Sequence, residues 1–214
     1  MKIKQVQFSA SNYFADSYEK KQIYLHHTAG NYNGELVFKG WSNNQERIAT
    51  CVVISGKGAS SIDGEIIQGF SSQYWAYHLG VKKEMFSSLS IPYQPLDKLS
   101  IGIEICNWGQ LTLKDGKFYN YVNKEVASSE VIECHYKGHK YFHNYTDAQI
   151  ESVRQLLLMF AEKYKIPLTY NEDIWDITKR AYKGESGVYT HNSVRKDKVD
   201  VYPHPKLISM LKSL

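Results

Sequence analysis

The sequence predicts a single α/β domain built on a central mixed β-sheet flanked by helices. Three observations carry this reading. Apolar stretches with strand character (22–27, 47–55, 63–70, 99–106 and 187–190) alternate loosely with helical ones. Turn signals at Asp63-Gly64 and Asp115-Gly116 mark two chain reversals between strands. The 214 residues, 43% of them hydrophobic, supply one well-filled core, and no repeat, low-complexity tract or linker divides them. One domain over 1–214 is therefore expected.

The elements follow in order. "QIYLHH" (22–27) is a buried strand ending at His26 and His27, and "TAGNYNG" breaks it. "ELVFKGW" (35–41) suits a short helix despite Gly40. "RIATCVVIS" (47–55) is a second strand, and "DGEIIQGF" (63–70) is a turn followed by a third. "YWAYHLG" (74–80) is aromatic and stops at a glycine, and 81–99, with two prolines and little periodicity, reads as a loop. In "LSIGIEIC" (99–106) apolar residues at 99, 101, 103 and 105 put Glu104 on the opposite face. "LTLKDGKFYNY" (111–121) is a hairpin about Asp115-Gly116, while the polar, Tyr-rich stretch 122–145 carries no clear signal. The clearest element is a helix over 147–165. Thr146 and Gln149 form a capping-box pattern, Ile150, Val153, Leu157, Phe160 and Tyr164 recur at helical spacing, and Pro167 bars continuation. Residues 172–182 suit an amphipathic helix, "GVYT" (187–190) is a short strand delivering His191, and a helix beginning near Pro205 closes the chain.

Composition excludes several classes. No apolar run is long enough to span a membrane, and the first residues lack the apolar segment of a secretory signal. Synthesis in the cytoplasm is the expectation. A net charge of +4 without dense Lys/Arg clusters gives no nucleic-acid footprint. Cys51, Cys106 and Cys134 have no metal-type spacing and read as free thiols. The 17 tyrosines suit sugar or peptide surfaces, but packing accounts for most of them.

Candidate chemistry lies at strand ends, where an α/β sheet presents side chains to a cleft. His26 ends one strand and His191 another, and Asp200 follows nine residues later with enough chain to turn back. Two imidazoles and one carboxylate are a ligand set for a catalytic zinc ion with an open position. Singly, each is bland: a strand-terminal histidine is more often a hydrogen-bonded structural residue, Asp200 a solvated acid, Lys198 a surface lysine. Glu104, inside an apolar strand, needs a partner or a task.

Together, "YLHHTAG", "SIGIEIC", "YTDAQIESVRQLLLMFAEKYKIP" and "THNSVRKDKVD" occur in an order that resembles the zinc-dependent N-acetylmuramoyl-L-alanine amidases, a group that includes phage lysozyme-type amidases and peptidoglycan-recognition proteins. The resemblance is strongest over 21–80, 99–107 and 146–205, and weak over 81–99 and 110–145. It implies one Zn²⁺ per chain held by His26, His191 and Asp200, with Glu104 facing the metal-bound water and Lys198 contacting the scissile carbonyl. It also implies a substrate-groove position for His78. His27, pointing to the other face of its strand, reads as structural, and Arg195 and Lys196 as solvated. The implied reaction is hydrolysis of the amide between the lactyl group of N-acetylmuramic acid and L-alanine of the stem peptide. Peptidoglycan or muropeptide is then the partner, the chain a monomer, and the setting a phage or prophage lysin reaching the wall after lysis, a remodelling enzyme, or a recycling enzyme. The rival from another class is a peptidoglycan-binding module of the same fold without catalysis. Two departures stand out: Cys51 where many members have histidine, and "VDVYPHP" where they often have Pro-Gly after the last ligand.

Overall fold

The computed structural model describes residues 1–30, 32–43 and 46–214. A six-stranded mixed sheet forms the centre, made of β1 (Ile3–Gln5), β2 (Gln22–His27), β3 (Val52–Ile54), β4 (Ile66–Gln68), β5 (Ser100–Ile105) and β11 (Gly187–Thr190) in the spatial order β1-β4-β3-β5-β2-β11. Only the β3–β4 pairing is antiparallel; β3, β5, β2 and β11 run parallel. Every residue of β2, β5 and β11 is buried, as expected of parallel strands covered on both faces.

Register fixes which side chains share a face. His26 pairs with Glu104, and Tyr24 with both Gly102 and Tyr189. Neighbours paired in this way point to one side, so the alternation read in 99–106 holds: Glu104 lies beside His26, while Leu25, Ile103 and Ile105 sit on the other face.

Helix α1 (Gly34–Ser42) lies over β3 and β4, capped by the Asn33 side chain, which accepts from Glu35 and Leu36 N–H. Helix α4 (Asp147–Tyr164) carries the capping box of Thr146 and Gln149 and packs against β3 and α6 (Pro205–Lys212), burying Ile150, Val153, Leu156, Leu157 and Phe160. Lys165 ends it in the left-handed conformation. No helix among the described residues is long and apolar enough to cross a membrane.

Several stretches differ from the sequence-based expectation. Only Val52–Ile54 of 47–55 is strand, because Ala49 N–H bonds to the Tyr77 carbonyl and Thr50 turns its hydroxyl to the Val52 carbonyl. The stretch 81–99 is not all loop: α2 (Lys83–Ser88) and α3 (Leu96–Leu99) are too short for periodicity to reveal. Instead of a continuous helix, 172–182 contains a 3₁₀ turn (Glu172–Trp175) and α5 (Lys179–Tyr182). The Ile174 carbonyl is taken by the Thr190 and Ser193 hydroxyls at 2.6 and 2.8 Å, so no helical hydrogen bond can continue there.

The predicted hairpin of 111–121 and the unassigned Tyr-rich stretch after it together build a second, wholly antiparallel sheet. Its strands are β6 (Gln110–Lys114), β7 (Lys117–Tyr119), β8 (Glu125–Val126), β9 (Val131–Tyr136) and β10 (His139–His143), in the order β8-β7-β6-β10-β9. The hairpin about Asp115-Gly116 is present as β6–β7, with both turn residues at positive φ. Tyr202, just beyond Asp200, stacks between the sheet's Phe142 and the adjoining Tyr145, with ring centroids 4.3 and 4.9 Å away.

Candidate functional site

The parallel strands β2, β5 and β11 end at one edge of the sheet, and that edge forms the floor of a cavity of about 650 Å³. His26 and Glu104 each sit one residue before the end of their strands, β2 and β5, and His191 opens the 3₁₀ turn that follows β11. Asp200 returns at the end of the loop after that turn. His26 Nδ1 and His191 Nδ1 are 3.1 Å apart, and Asp200 Oδ2 is 2.9 Å from His191 Nδ1 and 3.4 Å from His26 Nδ1. All three residues are buried, and one donor atom from each lies within 4.8 Å of the other two. The three candidate ligands are thus brought together, and the unusual sequence after Asp200 leaves its carboxylate aimed at both imidazoles.

The hydrogen bonds behind the rings settle which nitrogen carries the proton. Ser100 O–H donates to the Leu96 carbonyl at 2.6 Å, so its oxygen accepts from His78 Nε2–H at 2.9 Å. His78 Nδ1 is left as the acceptor for His26 Nε2–H at 3.0 Å. On the other side, His191 Nε2–H donates to the Leu79 carbonyl at 3.0 Å. Both candidate ligand rings therefore turn an Nδ1 lone pair toward the Asp200 carboxylate. Three acceptors facing one another at these distances are held together only by a cation: a proton on one ring in the metal-free protein, or a metal ion in its place. The residues could hold such an ion.

One dipeptide orients both imidazoles, His26 through the His78 ring and His191 through the Leu79 carbonyl. It is itself fixed by Asp97 of α3, which accepts His78 N–H and Leu79 N–H at 2.9 and 3.0 Å. Gly102 leaves room for this: a Cβ there would lie 2.6 Å from Thr50 Cγ2 and 3.1 Å from His78 Nδ1. His78 was expected in the substrate groove. It does line the cavity, but its side chain is 5% exposed and both ring nitrogens are engaged by protein groups, so neither is left for a substrate.

Electrostatics favour a neutral imidazole at His26 and a charged carboxylate at Asp200. Burial, with a smaller contribution from His191, pushes His26 down to about 4 against the opposing pull of Asp200. Burial likewise holds His78 well below its ordinary value. Burial acts to raise the Asp200 carboxyl, but the hydrogen bonds and charges of His191 and His26 outweigh it and hold that group far below the usual carboxylate range. Glu104 goes the other way: burial and the nearby Asp200 charge raise it well above a free glutamate, with Lys198 only partly offsetting them. Glu104 and Lys198 both line the cavity alongside the three candidate ligands.

Other sequence readings fare differently. His27 faces away, with Nδ1 2.8 Å from the Tyr145 hydroxyl, and is structural. Cys51 is a buried thiol, its pKa pushed up to about 12 by burial, and all three cysteines are free. Arg195 is not simply solvated: it forks onto Asp197 at 2.8 and 2.7 Å and donates to the Gly80 carbonyl at 2.9 Å, tying the Asp200 loop to the His78 segment. Leu79, Asp97 and Ser100 escaped the sequence reading. Leu79 acts through a carbonyl that any residue would supply, and Asp97 lies in a stretch read as loop.

No curated protein matches the chain in sequence. Among solved structures, PlyL is 15% identical, with a TM-score of 0.56 over 99% of this chain and 98% of that one. A mutant endolysin from Bacillus subtilis is also 15% identical, with a TM-score of 0.56 over 99% and 97%. The Staphylococcus aureus hydrolase AmiA in complex with its ligand is 13% identical, with a TM-score of 0.52 over 99% and 82%. At these identities the likeness is one of fold, a mixed central sheet with flanking helices. The family described as N-acetylmuramoyl-L-alanine amidase matches residues 17–205, and with most of its length covered the chain belongs to that family.

Proposed function

We propose that this chain is a zinc-dependent N-acetylmuramoyl-L-alanine amidase, acting as a monomeric single domain on peptidoglycan or its fragments in the manner of a lysin. The observation that carries the reading is the convergence of three lone-pair donors at the floor of an open cavity whose wall holds Glu104 and Lys198. The donors fit zinc. A tetrahedral ion at about 2.0–2.1 Å from each ligand sets ligand atoms about 3.3 Å apart, and these lie 2.9, 3.1 and 3.4 Å apart. Two neutral nitrogens and one carboxylate oxygen are also a common catalytic set for that ion. When bound, zinc would polarise a carbonyl and lower the pKa of a coordinated water to about 7.

The chain's own groups divide the remaining work. Glu104 takes the proton that water gives up as it attacks the amide carbon, and returns it to the departing amine of L-alanine. Its raised pKa suits a carboxylate that must hold a proton between two steps. The Lys198 ammonium donates to the carbonyl oxygen as negative charge develops there. His78, Leu79 and Asp97 move no proton in this scheme; they keep the two imidazoles aimed.

The test is metal removal and restoration. Chelator-treated protein should release no stem peptide from purified peptidoglycan, and stoichiometric zinc should restore release. Mass spectrometry should find new free L-alanine amino termini and intact glycan strands. Protein that pulls down with wall material yet yields no soluble peptide at any zinc level would refute the catalytic reading in favour of a binding module.

A further inference from the structure

We propose that the second sheet is a brace for the loop carrying Lys198 and Asp200, and that Lys137, at the tip of its β9–β10 hairpin, is the positioning residue. This role rests on the amidase reading above but is carried by separate contacts. Lys137 Nζ donates to the Lys198 carbonyl at 2.9 Å, the Lys196 carbonyl at 3.3 Å and Asn192 Oδ1 at 3.0 Å. Asn192 Nδ2 in turn donates to the Val201 carbonyl at 2.8 Å. One ammonium therefore ties down the loop at 192, 196 and 198 and, through Asn192, at 201, bracketing both functional side chains. A lysine suits the task because its three N–H donors match three oxygens arriving from different directions.

The turn itself points the same way. Lys137 and Gly138 both lie at positive φ, 47° and 82°, as a two-residue hairpin of this type requires. Asparagine or aspartate is the favoured first residue there, and the sheet's other such turn does use Asp115 before Gly116. A lysine with an ordinary Cβ is disfavoured in that conformation, so local turn chemistry does not account for it. Its reach to the loop does. Further contacts run in parallel: Cys134 Sγ lies 3.7 Å from the Pro203 carbonyl, and the Tyr202 hydroxyl donates to the His143 carbonyl at 2.8 Å. The region the family resemblance covers least thus holds the loop on which the family's chemistry depends.

Lys137→Asn separates the two roles, since Asn-Gly is the turn's own preferred pair and keeps the hairpin, while the shorter side chain loses the loop. Three measurements decide: amide exchange at Lys198 in the metal-free protein, zinc affinity by competition with a chromophoric chelator, and kcat and KM on a soluble muropeptide. The Lys198 amide, bonded to the Arg195 carbonyl at 3.2 Å, should exchange faster. Zinc affinity should weaken about tenfold or more, as for loss of other supporting contacts. The rate loss should fall on kcat with KM little changed, and the melting temperature of the metal-free protein should be retained. Parent-like exchange and zinc affinity in Lys137→Asn would overturn the brace. A parent chain that neither binds zinc nor releases peptide would overturn the functional reading instead, and the exchange measurement, which needs neither metal nor substrate, would then decide the brace alone.

Discussion

Replacing His78 with phenylalanine isolates the support behind the first ligand. The ring volume is kept, but His26 Nε2–H loses its acceptor and Ser100 Oγ loses its donor. The His26 side chain is 4% exposed, so water cannot substitute. Leaving a buried donor unpaired costs roughly 1–3 kcal/mol, which at about 1.36 kcal/mol per decade is between about fivefold and 150-fold in an equilibrium. The metal-free protein can escape this cost by moving the His26 proton to Nδ1, where Asp200 accepts it. Zinc must then displace that proton, so the penalty should appear in metal affinity rather than in the stability of the metal-free fold. The expected outcome for His78→Phe is a zinc dissociation constant raised about 10- to 100-fold, with a nearly unchanged melting temperature after chelation. Ser100→Ala, one hydrogen bond further out, should weaken zinc less. Chelator competition and thermal melts on the same samples provide the test. Zinc affinity within twofold of the parent for His78→Phe would refute the tautomer argument, and a large fall in metal-free stability would show that the proton has nowhere else to go.

Three further outcomes are expected. Glu104→Gln should lower peptide release by about 10²–10⁴ and Lys198→Ala by about 10²–10³, with zinc content by elemental analysis unchanged in both; parent-like turnover would remove the roles assigned to them. Gly102→Ala should destabilise the fold by about 1–3 kcal/mol through overpacking against Thr50, and should also weaken zinc by displacing His78, as read by melts and chelator competition. Acid should destabilise the metal-free protein. Burial holds His143 and His204 down at about 4 in the folded state, so between about 6.5 and 4 the unfolded chain takes up protons that the folded one refuses, and stability falls as pH falls. His204 caps α6 through Nδ1, accepting from Lys206 and Leu207 N–H. His204→Asn keeps a capping acceptor without titrating and should flatten part of that slope in melts at pH 7, 5.5 and 4.5.

The sequence showed the parts of the site that depend on side-chain identity. His26, Glu104, His191, Lys198 and Asp200 are legible because each is a chemically unusual residue at a strand end or in a short motif, and parallel strands bring such ends together. Strand alternation correctly separated Glu104 from Ile103 and Ile105, and His26 from His27. What stayed hidden depends on backbone groups or on contacts between distant segments. Nothing about a leucine at 79 announces that its carbonyl aims an imidazole 112 residues away. Of the second sheet only the β6–β7 hairpin was legible; β9 and β10 stayed hidden because they are partly exposed, and tyrosine and histidine blur the apolar alternation that marks a strand. The break in 172–182 follows from hydroxyls on Thr190 and Ser193, beyond the reach of any local pattern.

His26 and His191 are separated by 165 positions along the chain, and β11 must already lie beside β2 before their nitrogens can meet. A partly folded chain ending short of β11 offers an ion at most a fraction of the donor set. On the zinc reading proposed above, metal capture would therefore come late, as a clasp on a finished molecule rather than a nucleus for an unfinished one. Its stabilising effect would grow with the logarithm of free zinc, about 4 kcal/mol at a thousandfold excess over the dissociation constant, and would select the complete native state over every intermediate. Zinc supply in a refolding experiment should accordingly slow unfolding and leave the early folding phases untouched.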